Sequence, residues 1–380
     1  QIYINFLLLL FHHLFLSDYK VILHQIKKKI HFINIGFLLI LQPENKNNNI
    51  MKNAFLASLM LLQLVSCSNP IEKLDLSGLW TVCLDSADIG ISKSWYGKLY
   101  EDSITLPGTT DNAKLGNKCN LEPALTKPQL LRLTRAYSYI GPAWYSKEII
   151  IPSDWEGKDY ILHLERVLWD TQVWVDGQKV NGHEESLTTP HEYILTPYLK
   201  NGKKHLITIR VDNRKRHDIS VNELAHAYTD ATQVKWNGIL GEMYIKAVDR
   251  IRIDNVQLYP DAMARKVKAI VYINNSIAKS GELSVNIDIR GKEDGKKYAS
   301  EVKKVVSESG ISKVEIECQL NKDAPLWDEF NPYLYTATVS IKGKKVVSNK
   351  VETFGLRCLA NAGNKLMLNG NPMFLRGTLE

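Results

Sequence analysis

Cysteine is scarce in this chain, five residues among 380 at positions 67, 83, 119, 318 and 358, and no two form a C-x-x-C pair. That excludes a thiolate zinc knuckle and a dense disulfide framework. Cys83, Cys119, Cys318 and Cys358 are expected to be mostly buried and inert, with their pairing left open. Beyond Leu74 no stretch repeats its apolar residues at helical spacing, which excludes a helical bundle. No basic stripe with interleaved aromatics is present, so nucleic acid is not an expected partner. His163, His191, His217 and His226 stand alone in the sequence, without the spacing of metal ligands, and no metal is assigned. Residues 1–50 contain no Ala, Arg, Thr, Trp, Cys or Met, and the chain opens on Gln1. What remains is ordinary: 44% hydrophobic and 23% charged residues are globular values, and 380 residues suit two or three domains.

In residues 1–50, six residue types (Ile, Leu, Phe, Tyr, Asn and Lys) fill 37 places. AT-rich codons specify these types, so the stretch reads as a translated upstream segment or as disordered chain. A membrane anchor is the competing reading, from Ile2–Leu16 and Phe32–Leu41. The first run is interrupted by His12 and His13 and the second is short, whereas a span needs about 20 apolar residues. Met51 opens a different text. Lys52 supplies a positive start, Ala54–Val65 an apolar stretch, and Ser66-Cys67 a cleavage point, which together describe a signal peptide over 51–67. The small residue before Cys67 resembles the lipobox of bacterial lipoproteins. That resemblance implies lipidation at Cys67, a membrane partner through the lipid, and a place in the bacterial cell envelope, at the periplasm or outer membrane. A plain secretory signal is the alternative. Five lysines less Asp18 and Glu44, together with Lys52, account for four of the seven net positive charges, so the remaining chain carries only +3.

The rest alternates with period two. Leu283, Val285, Ile287 and Ile289 alternate with polar residues, as do Val314, Ile316, Cys318 and Leu320. Ile207, Ile209 and Val211 alternate with Thr208 and Arg210, which the pattern places on a wetted face. Asp176-Gly177, Asn181-Gly182, Asn201-Gly202, Asp294-Gly295 and Lys342-Gly343 punctuate these runs as turns. The expected fold is all-β: a jelly-roll sandwich over 71–248, rich in Trp and Tyr, and an immunoglobulin-like sandwich over 249–357.

A series of short motifs runs through both parts. They are Leu76–Trp80 (LSGLW), Ile104–Asp111 (ITLPGTTD), Gly141–Tyr145 (GPAWY), Leu164–Val167 (LERV), Val173–Gly177 (VWVDG) and Ile207–Asn213 (ITIRVDN). Trp236–Gly241 (WNGILG), Leu326-Trp327, Asn331–Tyr335 (NPYLY), Thr353–Arg357 (TFGLR) and Leu366–Gly377 (LMLNGNPMFLRG) follow. In order and spacing the series resembles the N-terminal half of a family 2 glycoside hydrolase, the group of β-galactosidases, β-glucuronidases and β-mannosidases. The resemblance implies a sugar-binding jelly roll, an immunoglobulin-like sandwich and then a (β/α)8 barrel that carries the chemistry. Residues 358–380 correspond to a short hairpin and the first barrel strand. It also implies a carbohydrate substrate and retaining hydrolysis by two Glu, neither of them among these residues. On this reading the chain is incomplete and inactive by itself; the alternative is a non-catalytic carbohydrate-binding lipoprotein. Some relatives bind Mg or Na with ligands partly in the barrel, so no cofactor is assigned, and the oligomeric state is left open.

Several residues are candidates to meet sugar. Trp236 offers an aromatic face for a pyranose, and Asp230, Gln233 and Asn237 offer carboxylate and amide groups for hydroxyls. β-Galactosidases carry an acidic residue just before this tryptophan, where this chain has Gln233-Val234-Lys235. Asp111, after a Pro-Gly turn, is a further candidate. Arg376, in the barrel-start motif, has the planar fork that holds a carboxylate. Leu326-Trp327 and the Tyr333/Tyr335 pair are read as packing at an edge of the second sandwich, and Phe354-Gly355 as the end of its last strand.

Overall fold

Strands here follow from the period-two text, and the computed structural model describes them for residues 72–120, 135–217, 235–277, 279–343 and 346–377. The upstream segment, the signal peptide, Cys67, Asp230 and Gln233 lie outside the described residues. In the first sandwich a five-stranded sheet has the order β1 (Glu72–Asp75), β14 (Gly238–Asp249), β8 (Lys158–Arg166) and β12 (His191–Ile194), with β4 (Gly108–Thr109) added beside β14. Its partner sheet has seven strands. The path is β10 (Gln178–Lys179), β9 (Asp170–Val175), β13 (Lys204–Asp212), β7 (Pro142–Ile150), β2 (Gly78–Leu84) and β3 (Asp102–Leu106), and β11 (Glu184–Glu185) pairs with β9. A small ribbon, β5 (Asn117–Lys118) with β6 (Tyr137–Ser138), lies apart from both.

Between the two sheets one core gathers Leu76, Trp80, Tyr145, Leu162, Val173, Ile207, Ile209 and Ile245, all essentially buried. Ile207, Ile209 and Val211 face inward as the alternation predicts. Thr208 and Arg210 do not reach solvent, which corrects the expected wetted face. The cause is the segment 86–100, which folds over the outside of the sheet. Tyr96 stacks on Trp174 at 5.4 Å and Trp95 meets Trp144 edge-on at 6.5 Å. Asp85 ties this cover down, accepting from the amides of Ile89 and Gly90 at 2.8 Å and from Trp144 Nε1 at 3.0 Å. With both faces covered, the sheet keeps its polar side chains by pairing them: Thr208 Oγ1 lies 2.9 Å from Ser146 Oγ.

The second sandwich is plainer. Three strands, β15 (Ile251–Asp261), β16 (Lys266–Asn275) and β19 (Gly310–Gln319), face four: β18 (Lys297–Ser307), β17 (Gly281–Gly291), β20 (Leu334–Lys342) and β21 (Val347–Gly355). This four-plus-three arrangement is that of an immunoglobulin constant-type sandwich. Leu283, Val285, Ile287, Ile289, Val314, Ile316 and Cys318 all point into its core, in register with the alternation. Tyr333 and Tyr335 pack edge-to-face at 5.1 Å, and Tyr335 stacks on Phe354 at the end of β21. Burial pushes the Cys318 thiol up to about 12. All four described cysteines are free, and only Cys318 is buried. The expectation of mostly buried cysteines is therefore corrected: Cys83, Cys119 and Cys358 sit at strand ends and in the small ribbon, where coverage is partial.

Where the two sandwiches meet, Arg252 reaches from the second into the first. Its Nη1 donates to Asp159 Oδ2 and to the carbonyl of Asp249, both at 3.1 Å. After β21 the chain makes a small antiparallel sheet of β22 (Leu359–Ala362), β23 (Lys365–Leu368) and β24 (Asn371–Pro372). The hairpin expected here is present. The segment read as the start of a barrel strand, 373–377, is not itself a strand: Met373 N donates to the Leu366 carbonyl at 2.9 Å and Phe374 is 89% exposed. A parallel strand needs a bonded neighbour, and no parallel pairing occurs among the described residues.

Candidate functional site

One end of the seven-stranded sheet collects most of the buried charge in the first sandwich. β2 and β13 end there and β7 and β9 begin there, so loops from distant parts of the sequence converge on it. Asp212, fully buried at the end of β13, is the hub. Its carboxylate accepts from Arg214 Nη2 at 2.6 Å, Arg216 Nη2 at 2.9 Å and Arg210 Nη2 at 3.3 Å. Arg210 and Arg214 each reach onward to Asp88, at 2.8 and 2.6 Å. Burial by itself raises the Asp212 carboxyl, but the Arg214 bonds and the Arg216 and Arg210 charges outweigh it and hold the carboxyl below the ordinary carboxylate range. Asp88 is held low in the same way by Arg214 and Arg210 against its own burial. The bond to Asp212 raises Arg214 correspondingly.

Next to this hub, β9 begins at Asp170, which is 2% exposed. His183 Nε2 meets Asp170 Oδ2 at 2.5 Å, Arg216 Nη2 lies 3.3 Å from the same oxygen, and His217 pairs with Glu185. Deeper in, His191 Nδ1 lies 2.6 Å from Thr171 Oγ1, and burial lowers its imidazole, which keeps it neutral.

A net of amides fixes the other side of this end. Asn213 accepts from Gly141 N at 2.9 Å and donates to the carbonyls of Tyr139 and Trp236 at 3.0 and 2.9 Å. Asn237 accepts from Tyr145 Oη at 2.7 Å and donates to the Gly141 carbonyl at 2.8 Å. Two asparagines thereby clamp three segments of chain, and burial pushes the Tyr145 hydroxyl up, so it stays a donor. Gly238 follows at φ +137, where an added Cβ would stand 2.2 Å from the Gly108 carbonyl oxygen. Glycine is thus required after Asn237 by both dihedral and close approach.

The sequence candidates fall unevenly on this frame. Trp236 is half-buried at the rim with its backbone carbonyl held by Asn213. Asn237 is fully buried and its side-chain amide is spent on Tyr145 and the Gly141 carbonyl, which corrects its placement among hydroxyl-binding groups. Asp111 lies close by in the chain path, since Thr110 N donates to the Asn237 carbonyl at 2.9 Å. Its Oδ1 is buried without a hydrogen-bond partner. Arg376 is exposed in the segment after β24, and among the described residues no hydrogen bond or ion pair joins it to Asp111, Trp236 or Asn237. Asp88, Asp170, His183, Glu185, Arg210, Asp212, Arg214 and Arg216 were not candidates. Four of them lie in or just after the 207–213 motif, where strand alternation gave no sign of a charge hub.

Two family profiles match the chain in sequence order. One, described as "Glycosyl hydrolases family 2, sugar binding domain", covers residues 71–244, and another, "Glycosyl hydrolases family 2", covers 251–357. The chain belongs to glycosyl hydrolase family 2. A β-galactosidase of Thermoanaerobacter pseudethanolicus is 29% identical over 248 residues, which are 62% of this chain and 31% of that protein. A β-glucuronidase of Paenibacillus borealis is 22% identical over 323 residues, 80% of this chain and 48% of that one. Among solved structures, a Bacteroides uniformis β-glucuronidase has the same fold with a TM-score of 0.61 and 18% identity, over 80% of this chain and 35% of its own. The chain thus spans from 31% to 48% of the length of these relatives. Within the family 2 frame, the charge hub and the amide clamp both belong to the sugar-binding domain and lie at one end of it.

Proposed function

We propose that this chain is the N-terminal, sugar-recognising part of a retaining exo-glycosidase that removes terminal β-linked sugars, of β-galactosidase or β-glucuronidase type. The observation that carries this reading is the pair of family 2 matches, in order, across residues 71–357. Galactosidase and glucuronidase names both occur among the relatives, which supports the pair of sugars without choosing between them. Trp236, held at the rim by Asn213, is the group that stacks on the sugar, with Asp111 beside it as a hydroxyl acceptor. The hydrolytic carboxylates are not drawn from the hub. Arginines hold Asp88 and Asp212 below the ordinary carboxylate range, and a general acid needs a raised pKa, not a lowered one. Lipidation at Cys67 and placement in the cell envelope are part of the same proposal.

The full chain is expected to turn over no nitrophenyl β-galactoside or β-glucuronide, yet to bind a cognate sugar in a calorimetric titration that Trp236→Ala abolishes. An open frame continuing past Glu380 should give a product that hydrolyses one of these substrates with retained anomeric configuration by proton NMR. A frame that closes there, with sugar binding intact, would make the protein a non-catalytic carbohydrate-binding lipoprotein. Turnover by the chain itself would overturn the division of labour.

A further inference from the structure

We propose that Asp170, His183 and Glu185, with His217 beside them, form a site for one divalent transition-metal ion of the zinc or cobalt(II) class. One donor atom from each of the first three residues lies within 4.8 Å of the others, a spread that a single ion can bridge. Three independent features point to a ligand. First, β11 pairs with β9 so that Glu185 stands directly across from Asp170. Two carboxylates in one cross-strand pair repel, and strand pairing normally avoids the combination. Secondly, Asp170 is almost completely buried, and its Oδ1 has no hydrogen-bond donor; the nearest cation, Arg210 Nη1, is 3.9 Å away. A buried carboxylate oxygen left this way is costly unless something else satisfies it. Thirdly, an imidazole is set against each carboxylate, His183 on Asp170 and His217 on Glu185.

The charge balance admits a cation. Among the described residues that pair in the hub and this corner, four carboxylates (Asp88, Asp170, Glu185 and Asp212) face three arginines (Arg210, Arg214 and Arg216), an excess of one carboxylate. Arg216 shares itself between Asp170 and Asp212 and can stay on Asp212, at 2.9 Å, when a metal takes Asp170. A mixture of imidazole nitrogen and carboxylate oxygen selects zinc-like ions over calcium or magnesium, which prefer all-oxygen sets. Access is open, because the His183 and His217 side chains are 49% and 68% exposed. Binding exchanges any proton shared within the two imidazole–carboxylate pairs for the ion, with no redox change.

Cobalt(II) titration of the full chain, followed by its visible absorption and by calorimetry, tests this. The expected result is one equivalent bound with d–d bands and no thiolate charge-transfer band. His183→Ala and Glu185→Gln should each weaken binding by at least about tenfold. Both residues are at the surface, and circular dichroism should report an unchanged fold. Failure to bind, binding with a thiolate band, or equal binding by the two variants would each overturn the site. So would calcium binding in place of cobalt.

Discussion

The two sandwiches are built from the same material, alternating strands with Gly-marked turns, yet they dispose of charge in opposite ways. In the immunoglobulin-like sandwich nearly every charged side chain stays outside. Asp288, Arg290 and Lys297 pair on an open face, and the core is uninterrupted aliphatic and aromatic packing. In the jelly roll the larger sheet is covered on both faces, and three arginines and three aspartates are drawn into one end. Burying ions costs several kcal/mol apiece unless each is paired and hydrogen-bonded. A fold keeps such an arrangement where something is gained from fixed charge and fixed loops. Under the function proposed above, recognition falls to the first sandwich and scaffolding to the second.

The sharpest way to break the contrast is to remove the hub. Asp212→Ala takes a fully buried carboxylate from the buried Arg210 and from the partly exposed Arg214 and Arg216, and should cost about 3 kcal/mol in urea unfolding. A loss below 1 kcal/mol would mean the hub is a solvated surface network like that of the second sandwich. The pH dependence carries a sign. Asp212 has a lowered carboxyl in the folded state, so its stabilisation is present above the unfolded value near 3.9 and is lost as pH falls through the folded value. The wild-type advantage over Asp212→Ala should therefore shrink below about pH 4.

A middle-sized effect is expected at the amide clamp. Tyr145→Phe removes the hydroxyl that bonds Asn237 Oδ1 and leaves a buried carbonyl without a donor, at about 1–3 kcal/mol. Tyr335→Phe in the other sandwich loses a similar bond, to the Pro325 carbonyl, but that partner is only part-buried and can turn to water. Its cost should be nearer 0.5–1.5 kcal/mol. Equal losses at the two tyrosines would remove the distinction between clamp and scaffold. Sugar affinity separates them further, since only Tyr145→Phe loosens the anchor of Trp236.

The scaffold was the legible part. Period two placed Leu283–Ile289 and Val314–Cys318 on the correct face, and Asp176-Gly177 turns with φ of +50 and +80, as that dipeptide prefers. Tyr333 and Tyr335 do pack together, but Tyr335 is fully buried in the core on the inner strand β20, not at the sandwich edge where the pair was read. The hub was not legible, because its members come from residues 85–88, 170, 183–185 and 210–217 and meet only when β9, β11 and β13 are side by side. Alternation even misplaced Arg210, since a linear pattern cannot know that segment 86–100 folds over the outer face. His217, which looked isolated, is set against Glu185, and His183, not singled out from the sequence, against Asp170. Asn237 shows the converse error: an amide beside a tryptophan looked like a sugar contact, and the chain spends it on Tyr145 and the Gly141 carbonyl.

The smallest effect tests the scaffold's side of the contrast. Asp288 on β17 bonds Arg290 Nε at 2.6 Å and lies 3.5 Å from Lys297 Nζ on the neighbouring strand. The distances are as short as those at Asp212, so contact geometry alone would rank the two sites together. Solvent decides otherwise. Asp288 is about a third exposed, and water screens its attractions while it restores hydration to any partner left behind. Asp288→Asn should change stability by less than about 1 kcal/mol, and 0.5 M salt should narrow even that difference. A loss of 3 kcal/mol would show that pairing distance, and not burial, sets the worth of a charge in this protein, and the distinction between its two sandwiches would fall with it.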